Sequence, residues 1–153
     1  MIQRIQSVYL FLAALCSALC FGLNFAGWEN NSQTIGINAC RVGGHCCESV
    51  AGHPWGIMFF TVLSVVLSLW AIFTYKNRRK QMRMAKAAIW MVLLNYIAIG
   101  TYTYTYFTRL SAGAALDIQP GIALPLLTAI FAFLAYRGIH RDDELVRSAD
   151  RIR

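Results

Sequence analysis

YKNRRKQMRMAK, residues 75–86, decides the fold of this 153-residue chain. Six of its twelve residues are Lys or Arg, out of fourteen in the whole chain, and none is acidic. Uncharged apolar runs flank it at 55–73 and 87–106, and cations beside such runs are retained on the cytoplasmic side of a membrane. The stretch therefore predicts a cytoplasmic connection between two transmembrane helices. Its topology-determining residues are Lys76, Arg78, Arg79, Lys80, Arg83 and Lys86.

The composition agrees with membrane insertion. Hydrophobic residues make up 58% of the chain, whereas soluble domains contain about 45–50%. Charged residues make up 14%, against the usual ~25%. A net charge of +7 would suit nucleic acid, but the cations lie beside the apolar runs and form no separate basic face. We therefore expect the lipid bilayer as a partner and no nucleic-acid binding.

The apolar runs predict an all-α fold: a polytopic membrane protein with four transmembrane helices and both termini in the cytoplasm. A hydrocarbon core of about 30 Å requires about 20 helical residues. The single domain, 1–153, then has spans at approximately 5–26, 55–75, 85–107 and 118–137, an outer loop at 27–54, a cytoplasmic basic loop at 76–86 and a cytoplasmic tail at 138–153. Within the fourth span, Pro125 is expected to kink the helix. The tail is expected to be a helical extension, because its few apolar residues share one helical face.

The first span is predicted to be an uncleaved helix. Its uncharged run, 8–25, is longer than the apolar region of a typical signal peptide, and no clear small-x-small cleavage site follows it. Small residues recur every fourth position and line one face, which favours close approach of another helix. This packing face consists of Ala14, Ala18, Gly22 and Ala26. We expect it to contact the protein's own helices, with a homodimer contact as the alternative.

Two shorter segments carry strand-like signals. TYTYTYF at 101–107 alternates like a strand, but Tyr102 and Tyr106 share a helical face, so we expect the third span to continue as a helix. In the outer loop, residues 33–39 are compatible with a short strand.

The outer loop also contains three cysteines, Cys40, Cys46 and Cys47. The side that holds the termini and the basic stretch carries twelve cations, and the other side carries only Arg41 and Arg109, so the loop is expected outside the cytoplasm, where disulfides persist. We predict a disulfide from Cys40 to Cys46 or Cys47. Closing so short a loop stabilises the fold by about 2–2.5 kcal/mol on the chain-entropy model.

Several chemistries lack the residues that they need. The spans hold no ionisable residue near their centres, unlike most proton-coupled pumps. Asn24 and Asn95 are the notable polar residues of the spans, and we expect both to cross-link helices. The three histidines lie in the loop and the tail, which disfavours haem. No paired C-x-x-C is present, which disfavours a metal site. We therefore predict no metal, no cofactor and no catalytic residue.

Both ends of the chain resemble a known family. MIQRIQSVYL at 1–10 and DDELVRSADRIR at 142–153 are similar to the ends of an uncharacterised family of bacterial four-helix inner-membrane proteins, known only as a domain of unknown function. The resemblance implies a multi-pass protein of the bacterial inner (cytoplasmic) membrane. It implies no activity, cofactor or catalytic residue.

The functional expectation is a non-enzymatic scaffold or accessory subunit of a membrane complex, with a protein partner in the membrane or a second copy of the chain. It is based on a shortage of catalytic groups beside several plausible contact surfaces. Two alternatives stay open. One is a small-molecule or lipid transporter that acts as an oligomer, and the other is a thiol-disulfide oxidoreductase that uses the loop cysteines.

Overall fold

Four helices and four short strands make up the part of the chain that the computed structural model describes, residues 2–30, 33–44, 53–74, 77–110 and 115–151. The helices are α1 (Ile2–Leu19), α2 (Trp55–Phe73), α3 (Arg78–Leu110) and α4 (Ala123–Arg151). The strands are β1 (Ala26–Asn30), β2 (Gln33–Ile37), β3 (Val42–Gly44) and β4 (Leu116–Ile118). The fold is therefore mostly helical, but the predicted all-α class omits a small sheet.

The helices pack as an antiparallel bundle in which α1 and α3 each contact both α2 and α4. Contacts at both ends of α1 fix its direction against α4. Near the start of α1, the Gln6 amide donates to the Asp142 carboxylate at 2.9 Å. Near its end, the Ser17 hydroxyl donates to Thr128 at 3.3 Å. Each helix thus runs opposite to its neighbours, and the α2–α3 connection lies at the same end as the start of α1 and the end of α4.

The bundle has small and polar residues inside and large apolar residues outside. On α2 the buried residues are Ile57, Thr61, Ser64, Ser68 and Ala71. Large side chains of the same helix, such as Phe59, Val66 and Trp70, are exposed. This distribution suits a lipid environment, where small residues let helices approach closely and large apolar residues face the acyl chains. Among the described residues, three helical segments are long and apolar enough to cross a membrane: Trp55–Phe73, Arg79–Arg109 and Pro120–Leu145. The chain is a membrane protein.

The first predicted span is wrong in its extent. α1 ends at Leu19, and its apolar part, Ile5–Leu19, is shorter than the other three segments. After Leu19 the chain forms a turn in which backbone hydrogen bonds join residues three positions apart, and β1 then begins at Ala26. The predicted small-residue face is therefore wrong too. Ala14 is buried in the helix, but Ala18 is exposed, Gly22 lies in the turn and Ala26 belongs to a strand.

The four strands form one antiparallel sheet, the platform, in the order β3-β2-β1-β4. The hairpin β1–β2 pairs Trp28 with Ile35, and the strand predicted within 33–39 is confirmed as β2. β1 also pairs with β4, so that Ala26 faces Ile118. Because β4 follows α3, the two chain segments that emerge from the bundle at this end are joined in a single sheet. We call it the sheet end.

The platform and the helix ends share one hydrophobic core. Its sheet side includes Phe25, Trp28 and Ile37, and its helix side includes Ile57 and Ile99. Trp28 also packs edge-on against Phe107 of α3, with ring centroids 6.1 Å apart. The sheet is thus fixed to the bundle by apolar burial and is not a separate loop.

The opposite end, the basic end, differs from the predicted loop and tail. α3 already begins at Arg78, so most of the basic residues lie on the helix and not in a loop. Lys76 lies outside the described residues. α4 continues to Arg151, which confirms a helical tail. Since α3 has 33 residues and rises about 1.5 Å per residue, it is longer than the hydrocarbon core of about 30 Å.

Pro125 does not have the predicted effect on the fourth span. α4 begins at Ala123, after a short 3-10 turn at Pro120–Ile122, so Pro125 lies in the first turn of the helix. Backbone N–H groups in a first turn have no partner within the helix. The missing N–H therefore removes no helical hydrogen bond, and the expected kink has no cause.

Candidate functional site

Cys40 lies at the tip of the turn between β2 and β3. The buried Asn38 side chain organises this turn, because its oxygen accepts hydrogen bonds from the backbone N–H groups of Cys40 and Arg41, both at 2.9 Å. The Asn38 N–H donates back to the Arg41 carbonyl at 3.1 Å. Asn favours such turns because its short side chain bonds to the nearby backbone. The turn holds the Cys40 side chain in an exposed position.

The chain that enters α2 ties this turn to the bundle. His53 Nδ1 donates to the Cys40 carbonyl at 2.9 Å. Its ring packs edge-on against Trp55, the first residue of α2, with centroids 5.9 Å apart. The position of the Cys40 turn is therefore set from two sides, by the sheet and by the start of α2.

The cysteines do not form a disulfide within the described residues. Cys40 is a free, exposed thiol there, and its predicted partners, Cys46 and Cys47, lie outside the described ranges. The disulfide stays a prediction. Cys16 and Cys20 are buried free thiols, and the Cys20 thiol donates to the Cys16 carbonyl at 3.5 Å. Thiols in apolar surroundings stay protonated and unreactive, so this pair is not suited to disulfide exchange.

Uncharged polar residues connect all four helices inside the bundle. The Ser17 hydroxyl of α1 lies 3.1 Å from that of Ser64 in α2 and donates to Thr128 of α4. Asn95 of α3 donates from its amide to Thr61 of α2 at 3.2 Å, which confirms its predicted role as a cross-link. The same prediction for Asn24 is wrong, because Asn24 lies in the segment between α1 and β1 and not in a helix. The sequence reasoning missed the hydroxyl cluster of Ser17, Ser64 and Thr128. The signal was the polar spacing of Thr61, Ser64 and Ser68 in an otherwise apolar run.

The basic end presents its cations on two neighbouring helices. Arg79, Lys80, Arg83 and Lys86 of α3 are exposed, and α4 contributes Arg137 and Arg141. Of the other predicted topology determinants, Arg78 starts α3 and Lys76 is outside the described residues. The Lys86 ammonium lies 5.1 Å from the ring centroid of Tyr136, which joins the two helices by a cation–π contact.

Within the described ranges, no group of three or more His, Cys, Asp or Glu side chains is placed to hold a metal ion. The buried polar side chains in these ranges are all uncharged. The chemistry that this arrangement supports is packing and hydrogen bonding between helices.

Comparison with known proteins agrees with the resemblance seen at both ends of the chain. Residues 2–152 match the family model described as "Domain of unknown function (DUF4293)". No curated protein matches the chain.

Proposed function

We propose that this chain, which belongs to the family described as a domain of unknown function (DUF4293), is a non-enzymatic scaffold or accessory subunit of a membrane-protein complex. The platform is the observation that carries the proposal. Two separate chain segments, before α2 and before α4, fold into one sheet that is fixed to the bundle by a shared core. A surface that is ordered before binding loses less conformational entropy when a partner docks.

The proposed setting is the bacterial inner membrane, with the sheet end outside and the basic end in the cytoplasm. Twelve cations lie on the side of the termini and the basic stretch, and two lie on the other side, which is the distribution that retains a chain end in the cytoplasm. In this orientation Cys40 faces an oxidising compartment, which favours its disulfide with Cys46 or Cys47.

We also propose that α1 is a fourth transmembrane span. Its exposed face carries large apolar residues, Ile5, Val8, Phe11, Leu15 and Leu19. Its opposite face packs against α2 and α4, which are both long enough to span. The 18 residues of α1 rise about 27 Å, close to the thickness of the hydrocarbon core. Both termini then lie at the basic end.

The interior of the bundle favours a scaffold function and disfavours proton-coupled transport. Such transporters place ionisable groups within the membrane, whereas the buried polar side chains described here are uncharged. The Ser17 hydroxyl lies within hydrogen-bonding distance of both the Ser64 and the Thr128 hydroxyls, so it links α1 to α2 and to α4 in the interior of the bundle.

Site-specific photocrosslinking in native membranes tests the proposal. A photoreactive amino acid replaces Arg41, which is exposed in the Cys40 turn, and the matched control replaces Trp90, which is exposed on α3. We expect the Arg41 variant to crosslink reproducibly to another membrane protein and the Trp90 variant not to do so. A crosslink only to a second copy would indicate a homo-oligomer. Recovery of the protein alone from both variants would contradict the proposal.

A further inference from the structure

A lateral groove lies on the surface of the bundle where α3 meets the platform. One wall is formed by α3, through Ile99, Thr103 and Phe107, and the other wall includes Leu116 and Ile118 of β4. Its volume is about 350 Å³. The groove is open on the side that faces away from the bundle, because Ile118 and Tyr104 on its rim are 67% and 72% exposed.

Gly100 makes room for the groove in the surface of α3. It lines the groove and is exposed, and a Cβ atom built on it would have no neighbour within 4 Å in the part of the chain that the structure describes. Glycine weakens a helix interior by about 0.5–1 kcal/mol relative to alanine, and no described backbone segment comes close enough to require a glycine at this position. The missing side chain leaves an open notch instead.

The residues that line the groove define the chemistry of its ligand. None of the described residues that line it is Asp, Glu, Lys or Arg. The Tyr96 hydroxyl is already used, because it donates to the Ile122 carbonyl at 2.7 Å. The Thr103 hydroxyl oxygen is buried and has no hydrogen-bond partner among the described residues. The groove therefore suits an apolar body with, at most, one weakly polar group near Thr103.

The size of the groove separates two apolar occupants. A helix about 10 Å in diameter would bury only part of one face in a groove of about 350 Å³. A single extended hydrocarbon chain is much thinner. The α3 wall belongs to a membrane-spanning segment, Arg79–Arg109, so the hydrocarbon chains of the bilayer are next to the opening.

We propose that this groove binds one acyl chain of a phospholipid from the surrounding bilayer, seated against Gly100 and Thr103. The site is independent of the scaffold function, because it lies on the lipid-facing side of α3 and not at the Cys40 turn. A bound chain would fill the space between α3 and β4.

Native mass spectrometry of the full chain, released from vesicles of phosphatidylethanolamine and phosphatidylglycerol, provides the first test. We expect one retained phospholipid per protein. Gly100→Phe fills the notch and should lower the retained fraction by about tenfold. The matched control is Gly22→Phe, since Gly22 is also exposed and a Cβ there meets only the Leu19 carbonyl oxygen, at 3.8 Å. This variant should retain lipid like the wild type. Equal retention by both variants, or retention of an isoprenoid quinone or a peptide instead, would overturn the proposal.

A second test uses the wild-type chain and so does not depend on the folding of a variant. The protein is reconstituted with phosphatidylcholine that carries a diazirine in one acyl chain, and the labelled residues are mapped after illumination. We expect labels to concentrate at Thr103, Tyr104 and Phe107, relative to Trp90, which is exposed on the same helix but does not line the groove. Even labelling along α3 would show ordinary annular lipid and would overturn the site.

Discussion

Asn38 fixes the geometry of the Cys40 turn through one side-chain oxygen. That oxygen accepts hydrogen bonds from two backbone N–H groups of the turn, and Asn38 itself is buried. An ordered thiol has a defined distance to its reaction partners, whereas a mobile one samples many. The turn therefore fixes the position of the Cys40 backbone in the platform.

Replacing Asn38 with Ala should destabilise the platform by about 1–3 kcal/mol, since two hydrogen bonds of about 0.5–1.5 kcal/mol each are lost. Asn38→Asp keeps the acceptor oxygen and should lose less. Equilibrium unfolding under reducing conditions, in mixed micelles, measures the difference without a contribution from a disulfide. Equal losses in the Ala and Asp variants would show that the hydrogen bonds to Cys40 and Arg41 do not stabilise the turn.

Replacing glycine with alanine should have opposite effects on stability at two positions, Gly121 and Gly100. A Cβ atom at Gly121 would collide with the backbone carbonyl of Asn24, which also accepts a hydrogen bond from the Gly121 N–H at 3.1 Å. Gly121→Ala should therefore destabilise the protein by about 1–3 kcal/mol, as overpacking does. Gly100→Ala meets open space within a helix and should stabilise by about 0.5–1 kcal/mol. Thermal unfolding in one detergent compares both, and a loss in Gly100→Ala would contradict the open notch.

At the scale of elements, α2 shows how polar residues serve inside a membrane bundle. Ser64 and Ser68 lie on the same buried face, one turn apart. Ser64 bonds to Ser17 of α1, whereas the Ser68 hydroxyl is buried with no hydrogen-bond partner among the described residues. Small size alone explains Ser68, because a small residue allows close helix packing.

We expect the replacement of each serine with alanine to have a different effect on stability. Ser64→Ala should destabilise the bundle by about 0.6 kcal/mol, the average for interhelical hydrogen bonds in membranes. Ser68→Ala removes an unpartnered buried hydroxyl and should be neutral or stabilising. Unfolding by sodium dodecyl sulfate measures both variants against the wild type. A larger loss for Ser68→Ala than for Ser64→Ala would reverse the assignment of these hydroxyls.

The elements that the sequence predicts best are those with long, repeated local signals. α2, α3 and α4 follow from uncharged runs, and the stacked rings of Tyr102 and Tyr106, 6.1 Å apart, confirm a helix where TYTYTYF alternates like a strand. The end of α1 could not be predicted in this way. Small residues at 14, 18, 22 and 26 satisfy a helical period, yet Ala26 gains strand partners on both sides, Ile37 and Ile118.

β4 shows why the platform could not be foreseen. It has three residues, Leu116–Ile118, and all of them are exposed, so it lacks the alternation that marks a half-buried strand. It exists because it pairs with β1, which lies about ninety residues earlier in the chain. A contact between distant segments leaves no local pattern. For the same reason, the groove between α3 and β4 has no signature apart from Gly100.

At the scale of the whole molecule, the two ends of the bundle have different chemistry. The sheet end is folded through an apolar core, and the exposed cations Arg79, Lys80, Arg83 and Lys86 lie at the basic end. At the basic end α3 and α4 pack together, and Lys86 contacts Tyr136. The cations thus lie next to the spans, which is the arrangement that the proposed cytoplasmic location of this end requires.

Cys40 is a natural reporter for this orientation, because it is exposed at the sheet end. In a Cys46→Ser, Cys47→Ser background, a membrane-impermeant maleimide should label Cys40 in intact spheroplasts. A Ser148→Cys control on α4, at the basic end, should react only after permeabilisation. Neutralising the cations of residues 76–86 with Gln should lower the external labelling of Cys40 by roughly half, because the charge bias that retains the basic end is weakened.

If the neutralised protein inserts with unchanged labelling, the cations are not needed for topology. Their conspicuous clustering would then point to a cytoplasmic partner, and the basic end would replace the platform as the surface to crosslink first.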